Sequence, residues 1–368
     1  LIDEAWWAGR RVLVTGHTGF KGGWLCLWLT QMGAQVTGLS LPAEDVSLFH
    51  QARIGDLVTH IEGDIRDPAV VDAAMAQARP EVVFHLAAQP LVRLSYATPV
   101  ETFATNVQGS VHVLDACRRA GELGAGDLRA IVCITSDKCY ENREWVWPYR
   151  ENEPMGGHDP YSASKGAAEL VIASYRRSFF SNGDGPLLAS VRAGNVIGGG
   201  DWAADRLVPD IMRALLDGAR PLIRSPHSVR PWQHVLEALG GYLMIARGLA
   251  AGNVGLAEGW NFGPADDDTQ PVHWIADRLC AAWGDGAGWD QPADAPTLHE
   301  ATLLKLDCAK ARAALGWRPA WGLGIALDRI TQWHKAVGAG EDARAISLQQ
   351  LAAYRRDFMN TLSGNAPA

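Results

Sequence analysis

Four β-prone residues, Val12-Leu13-Val14-Thr15, run without a break into Gly16-His17-Thr18-Gly19-Phe20-Lys21-Gly22, and an apolar helical pattern follows over 21–32. No other stretch restricts the fold as much. A strand that turns on glycines directly into a helix is the opening unit of a parallel α/β sheet, and its glycines lie where a dinucleotide pyrophosphate is held. Gly16 permits the tight turn, Gly19 lets the backbone approach phosphate oxygens, and Gly22 allows close packing of helix on strand. The start of the helix adds oriented N–H donors. His17, Phe20 and Lys21 fill the variable positions and are expected at the same nucleotide.

The alternation continues down the chain. Strand patterns at 11–15, 35–39, 58–62, 82–86, 130–135 and 187–193 are interleaved with helical patterns at 21–32, 68–78, 100–120 and 161–180. This order predicts an α/β protein with a doubly wound, mostly parallel Rossmann-type sheet over 1–193. Beyond Asn195 the sequence becomes rich in Gly, Pro and Trp. Residues 194–335 are expected to form a smaller mixed α/β lobe that supplies the second wall of a cleft, with a segment at about 232–256 returning to the first unit. Residues 336–368 are expected to be a helical extension that ends in a loose tail at 363–368.

A length of 368 residues suits one large unit with an appendage. The net charge of -8 argues against the broad basic surface that nucleic-acid binding requires. Cys26, Cys117, Cys133, Cys139, Cys280 and Cys308 are scattered without CxxC spacing or a disulfide framework, so they are read as reduced and cytoplasmic, and no metal is expected. Residues 1–11 contain two acids and two arginines and no apolar secretion segment, and no apolar run reaches bilayer length.

Ser40 closes the second strand, where an acid would bind a ribose 2′-hydroxyl and an arginine a 2′-phosphate. The following Leu41-Pro42-Ala43-Glu44-Asp45 is acidic and would repel a 2′-phosphate, which favours NAD. Asp64, after the third strand, is placed to accept a hydrogen bond from the adenine amino group, with Ile65 beside it. Leu86, Ala87, Ala88 and Gln89 after the fourth strand, and Thr135 at the end of the fifth, are expected to line the same crevice.

Tyr161 and Lys165 are four residues apart and share one face of a helix. A cation beside the phenol is expected to lower its pKa from about 10, so that the tyrosine can exchange a proton with a substrate hydroxyl. Ser136, Asp137 and Lys138 follow the fifth strand, whose carboxyl end faces the same cleft. Simple redox chemistry needs only the hydroxyl, the tyrosine and the lysine, so the additional acid and amine point to a second proton transfer. Bland readings exist for both groups: a surface contact for Tyr161 and Lys165, and a turn-forming Asp137 beside a solvated Lys138. The upstream glycine loop weighs against them.

With His85-Leu86-Ala87-Ala88-Gln89-Pro90 and Arg192-Ala193-Gly194-Asn195-Val196-Ile197-Gly198-Gly199-Gly200-Asp201-Trp202 added, the chain resembles the extended short-chain dehydrogenase/reductase family in its sugar-nucleotide dehydratase branch, from about Val12 to beyond Arg318. Within the branch the likeness is greatest to the 4,6-dehydratases that act on CDP-glucose. The resemblance implies NAD as cofactor and a cycle without net redox: oxidation at carbon 4 of glucose, loss of water across carbons 5 and 6, and return of the hydride to carbon 6. Tyr161, assisted by Lys165 and Ser136, would serve the carbon 4 hydroxyl, and Asp137 would protonate the departing carbon 6 hydroxyl. Lys138 is the positional candidate for removing the carbon 5 proton, although relatives acting on dTDP-glucose or GDP-mannose carry Glu there.

The same resemblance implies that Asn195, Arg206, Leu207, Val208, Arg230 and Asn261 grip the diphosphate and nucleoside, with Gln89 and Arg93 nearer the sugar. It also implies a homodimer paired through the helices at 100–120 and 161–180, or a homotetramer made of two such pairs. Two rival readings share most of these residues. A sugar-nucleotide 4-epimerase or decarboxylating relative would have the glycine loop and the Tyr161/Lys165 pair but no use for Asp137-Lys138, and a catalytically silent NAD-binding regulator would need none of the four reactive groups.

Overall fold

The computed structural model describes residues 2–122, 127–181, 185–292 and 303–362; the expected tail at 363–368 lies outside them. Seven strands form one parallel sheet: β1 (Arg11–Thr15), β2 (Gln35–Ser40), β3 (Thr59–Glu62), β4 (Val82–His85), β5 (Ala130–Ile134), β6 (Leu187–Ala193) and β9 (Gly259–Phe262). Their order across the sheet is β3-β2-β1-β4-β5-β6-β9. The chain winds one way from β1 and then the other way from β4. A crevice therefore opens where Thr15 and His85 lie side by side in the β1/β4 register.

Both faces of the sheet are covered, which is why β4 and β5 are buried along their whole length and apolar except for His85. The helix Phe20–Gln31 is buried on nearly all sides, because the sheet, the helix Val235–Ala250 and the C-terminal helix Ala343–Leu362 surround it. Trp28 meets Tyr354 edge to face at 5.6 Å in that packing. The helices Pro68–Ala78, Gly109–Glu122 and Pro160–Phe179 cover the other face.

The smaller lobe contains a three-stranded sheet of β7 (Asn195–Ile197), β8 (Val229–His234) and β10 (Thr269–Pro271), in the order β10-β8-β7. Its core is Ile211, Met212, Ile275, Leu279, Leu327 and Ile330 from three helices. Only Gly194 separates β6 from β7, so the two sheets are joined by one nearly continuous strand.

Three sequence expectations need correction. The returning segment does not stop at 256, because β9 also joins the large sheet; Gly259-Trp260-Asn261-Phe262 is short, and half of it is Gly and Asn, which are depleted in strands. No boundary falls at 336, since the helix Leu323–Gly338 runs through it. The helix expected at 100–120 is interrupted: Pro99–Phe103 leads into a π-helical turn, Ala104–Gln108, before Gly109–Glu122. Among the described residues no helix is long and apolar enough to cross a membrane.

Glu237 ties the C-terminal helix to this frame. Its fully buried carboxylate accepts hydrogen bonds from the backbone N–H of Ala320 (3.0 Å) and Trp321 (2.8 Å) and from the Tyr354 hydroxyl (2.8 Å). Burial nevertheless pushes the carboxyl up to about 8. A glutamate in the unfolded chain titrates near about 4.3, so the folded protein holds this proton more tightly. The resulting stability is present at low pH and is lost as pH rises through about 8. Thermal unfolding at pH 5, 6.5 and 8.5 is expected to show the wild type losing a few kcal/mol relative to Glu237→Gln; a constant difference would contradict this.

Candidate active site

The glycine loop is closed on one side and open on the other. Gly16 has a left-handed φ of +76°, and a Cβ there would lie 2.7 Å from the backbone N of Ala87. A Cβ on Gly22 would lie 2.2 Å from the Gly16 carbonyl oxygen. These two glycines are required by the packing of the chain itself. Gly19 differs, with an ordinary φ of −76° and only the Gly16 oxygen, at 3.4 Å, near a Cβ. Gly19 is also the N-cap of the helix Phe20–Gln31 and makes no side-chain cap. The open space above it and the first-turn N–H groups form a cradle that fits a dinucleotide pyrophosphate.

The neighbouring strand ends are locked together. Thr15 Oγ1 and His85 Nδ1 are 2.7 Å apart, Ala87 N donates to Thr15 Oγ1 at 3.2 Å, and His85 Nε2 lies 2.9 Å from Ser110 Oγ. Burial lowers the His85 pKa to about 3, so the ring is neutral. Ser40 shares a 2.7 Å hydrogen bond with Thr18, and Ile65 packs on Gly109. The His17 side chain, expected at the nucleotide, turns away: it lies over Gly38 with Nε2 2.7 Å from His60 Nδ1, and burial lowers its pKa to about 4. Asp64 is engaged by Arg66 through both carboxylate oxygens, which leaves neither directed solely at an adenine.

The reactive groups meet where β5 and the helix Pro160–Phe179 begin to diverge. Asp159 caps that helix by accepting from Ser162 N (2.9 Å) and Ser162 Oγ (2.6 Å), which sets Tyr161 and Lys165 over the strand tip. Ser136 Oγ accepts from Lys138 N at 3.2 Å and donates to Asp137 Oδ1 at 2.9 Å, closing a short turn. The same serine lies close enough to the Tyr161 phenol to influence its titration. Asp137 is 4% exposed and reaches the lobe junction, where a Cβ on Gly194 would lie 3.2 Å from its Oδ2. Its pKa is raised by burial, against the opposing pull of Lys138, Ser136, Lys21 and Arg230.

Burial lowers the Lys165 ammonium to about 8. Lys21 also falls to about 8, from burial and then from Arg206 and Lys165, so it belongs with the reacting groups and not only with the glycine loop. The expected lowering of the phenol by Lys165 is not what this geometry produces. Burial pushes Tyr161 up to about 12, and the foremost opposing influence is the nearby Ser136 hydroxyl.

Sequence reasoning missed the groups that hold this arrangement. Arg192 on β6 forms a two-point pair with Glu169, Nε to Oε1 and Nη2 to Oε2 at 2.8 Å each, with both side chains buried. Glu169 also accepts from Thr135 Oγ1 and from Ser190 Oγ, and Arg192 donates to the Tyr140 hydroxyl at 2.6 Å. Asn106, in the π-helical turn, accepts from Gln89 N (2.8 Å) and donates to Gln89 O (3.0 Å) and Ser164 Oγ (2.8 Å). It therefore joins the loop after β4 to the Tyr161 helix. An asparagine within a helical pattern and an arginine inside an apolar strand were the available signals, because each needs a partner there.

Several expected ligand-binding side chains serve the scaffold. The Thr135 hydroxyl points inward to Glu169. Gln89 donates to Thr102 Oγ1 at 2.9 Å and accepts from Leu91 N, bracing its own loop. Asn261 is fully buried; it accepts from the Tyr140 hydroxyl at 2.7 Å and donates to the carbonyls of Tyr149 and Asp307 at 2.9 and 3.2 Å. Val208 packs in the core of the small lobe. Around the mouth, Arg93 reaches Asp205 at 3.3 Å and Arg206 reaches Asp201 at 3.2 Å, while Arg230 acts on Asp137 and Asn195 begins β7.

The three glycines should separate experimentally. Gly19→Ser supplies a favourable N-cap but fills the cradle, so the unfolding temperature is expected to hold or rise while NAD affinity falls at least about tenfold in calorimetry. Gly22→Ala is expected to cost about 1–3 kcal/mol of stability. Equal losses of affinity and stability in both variants would contradict the division.

Comparison with known proteins agrees with this geometry. Residues 12–257 match the model of the NAD dependent epimerase/dehydratase family. The chain is 54% identical over 359 residues to the CDP-glucose 4,6-dehydratase of Salmonella typhimurium, covering 96% of this chain and 98% of that protein. It is 31% identical to a dTDP-glucose 4,6-dehydratase of Streptomyces antibioticus, covering 88% and 92%. Among solved structures, the fold matches that of DesIV, a dTDP-glucose 4,6-dehydratase from Streptomyces venezuelae solved with NAD bound, at a TM-score of 0.76 and 23% identity, covering 91% and 99%. The chain belongs to the NAD dependent epimerase/dehydratase family.

Proposed function

We propose that this protein is an NAD-dependent CDP-glucose 4,6-dehydratase, a hydro-lyase that converts CDP-glucose to CDP-4-keto-6-deoxyglucose and water. The observation that carries the reading is the buried Asp137 hydrogen-bonded by Ser136, with Tyr161 near the same serine and Lys138 on the same short turn. An epimerase has no use for that acid. The 54% identity to the Salmonella enzyme over almost the whole chain supports the choice of nucleotide.

NAD, held over the glycine loop at 16–22, would supply a reversible hydride acceptor for carbon 4 and donor for carbon 6. Tyr161, a protonated phenol at rest, takes the proton of the carbon 4 hydroxyl as its own passes to the neutral form of Lys165, while Ser136 stands beside the same oxygen. Lys165, whose buried amine titrates near 8, exchanges a proton with the phenol. The new ketone acidifies carbon 5, and Lys138, on the same short turn as Asp137, is the group placed to take that proton. Asp137, whose burial favours its protonated form, gives its proton to the carbon 6 hydroxyl as water leaves. Return of the proton to carbon 5 completes the product. Arg206 and Arg230 hold the diphosphate through forked donors, joined by Arg93, which the resemblance set nearer the sugar but whose pairing with Asp205 brings it to the loop that carries Arg206.

We also infer a homodimer, with two such pairs making any tetramer. Val100 and Phe103 on Pro99–Phe103, and Leu170 and Phe179 on Pro160–Phe179, are exposed apolar side chains on adjoining helices. Light scattering should give at least twice 39.7 kDa; a monomer mass would contradict the pairing. The six cysteines are all free and buried, which suits a reducing compartment and supports a cytoplasmic location.

Incubation with CDP-glucose should yield a 4-keto-6-deoxy sugar detected by its absorbance in alkali. Formation of a carbon 4 epimer alone would favour the epimerase reading, and NAD binding without turnover the regulator. Asp137→Asn is expected to lower kcat by about 10²–10³-fold. Lys138→Ala should slow exchange of the carbon 5 hydrogen with solvent, and exchange at the normal rate would assign the base elsewhere.

A further inference from the structure

Asp205 lies in the loop between Trp202 and the helix Leu207–Leu216, with a left-handed φ of +58°. Few residues other than glycine adopt this conformation, and Asp and Asn are the most tolerant. Its carboxylate lies 3.3 Å from Arg93 and 3.6 Å from Arg224. Arg93 stands on the helix Val92–Ala97 of the dinucleotide-binding unit, and Arg224 precedes β8 in the small lobe. One half-exposed carboxylate thus bridges a helix of the dinucleotide-binding unit and a loop of the small lobe.

The surroundings are crowded with charge of both signs. Arg206, paired with Asp201, is close enough to Lys21 and Tyr161 to shift the titration of both. Asp210, paired with Arg213, is influenced by Asp205 and Arg224 together. Asp201 is buried, whereas Asp205 stands half in solvent on a loop whose backbone is strained. Its two ion pairs are long and screened, a kind that contributes little. A diphosphate offers the same guanidinium groups short, paired, charge-assisted bonds.

We propose that Asp205 is a displaceable counter-ion for the substrate diphosphate: it holds Arg93 and Arg224 across the cleft and gives them up when the nucleotide enters. The exchange places Asp205 in direct competition with substrate and product, which keeps product release from becoming too slow. This rests on the reading of the substrate as a nucleoside-diphosphate sugar.

Asp205→Asn removes the charge and suits the left-handed backbone, and Asp205→Gly removes both charge and strain. Calorimetric titration of CDP into the NAD-loaded protein is expected to give affinities at least about fivefold tighter in both variants, the effect of one close unit charge under strong solvent screening. Uncharged cytidine should bind all three proteins equally, and the KM for CDP-glucose should fall with CDP affinity. Unchanged or weaker CDP binding in both variants would overturn the proposal and make Asp205 an organiser of the two arginines. If the wild type holds NAD but binds neither CDP nor CDP-glucose, the substrate reading fails. Inorganic pyrophosphate then tests the exchange alone, with tighter binding in the variants supporting it and equal or weaker binding overturning it.

Discussion

The site depends on one buried ion pair, Glu169 with Arg192. Neither charge is tolerable alone in that interior, and removing one partner of such a pair costs about 3–5 kcal/mol because the other is left uncompensated. The pair is held by more than its own attraction. Thr135 and Ser190 donate to the carboxylate, and the guanidinium donates to Tyr140, so the tip of β5, the middle of β6 and the helix bearing Tyr161 and Lys165 are fastened at one point. Rotation of the helix or sliding of the strand would strand a charge. The spacing between Asp137 and Tyr161 is therefore a consequence of a contact that touches neither.

Burial, rather than pairing of opposite charges, sets the titration of the reactive groups. It raises Asp137 and Tyr161 and lowers Lys165 and Lys21, moving each toward its uncharged form. Both shifts run in the direction that dehydration needs, an acid that holds its proton more tightly and an amine that gives one up more readily. The same desolvation leaves His85 and His17 as neutral struts between strand ends. Chemistry and scaffold thus draw on one physical effect.

Much of this was legible in the sequence because it is local. The strand-to-helix junction at Thr15–Phe20, the four-residue step from Tyr161 to Lys165 and the cluster Ser136-Asp137-Lys138 each lie within a few residues, and their periodicity carries their geometry. Contacts made across the fold were not legible in the same way. Asn261, Gln89 and Thr135 are polar residues at strand ends or in adjacent loops, where a ligand contact and a scaffold contact look alike; the structure commits them to Tyr140, Thr102 and Glu169. The break at Ala104–Gln108 was invisible to a helical pattern that stays in phase on both sides, although Asn106 is a poor fit within it. β9 escaped because it is only four residues long and its Trp260 and Phe262 alternate with Gly259 and Asn261, both poor strand formers, until β6 pairs with them.

The central claim is that one cluster performs oxidation at carbon 4 and elimination across carbons 5 and 6 on the same bound sugar. CDP-glucose deuterated at carbon 4 tests it most directly, by nuclear magnetic resonance of the product. The account predicts deuterium at carbon 6 of the 4-keto-6-deoxy product, transferred within one molecule. Deuterium retained at carbon 4, in a product that keeps its carbon 6 hydroxyl, would contradict it.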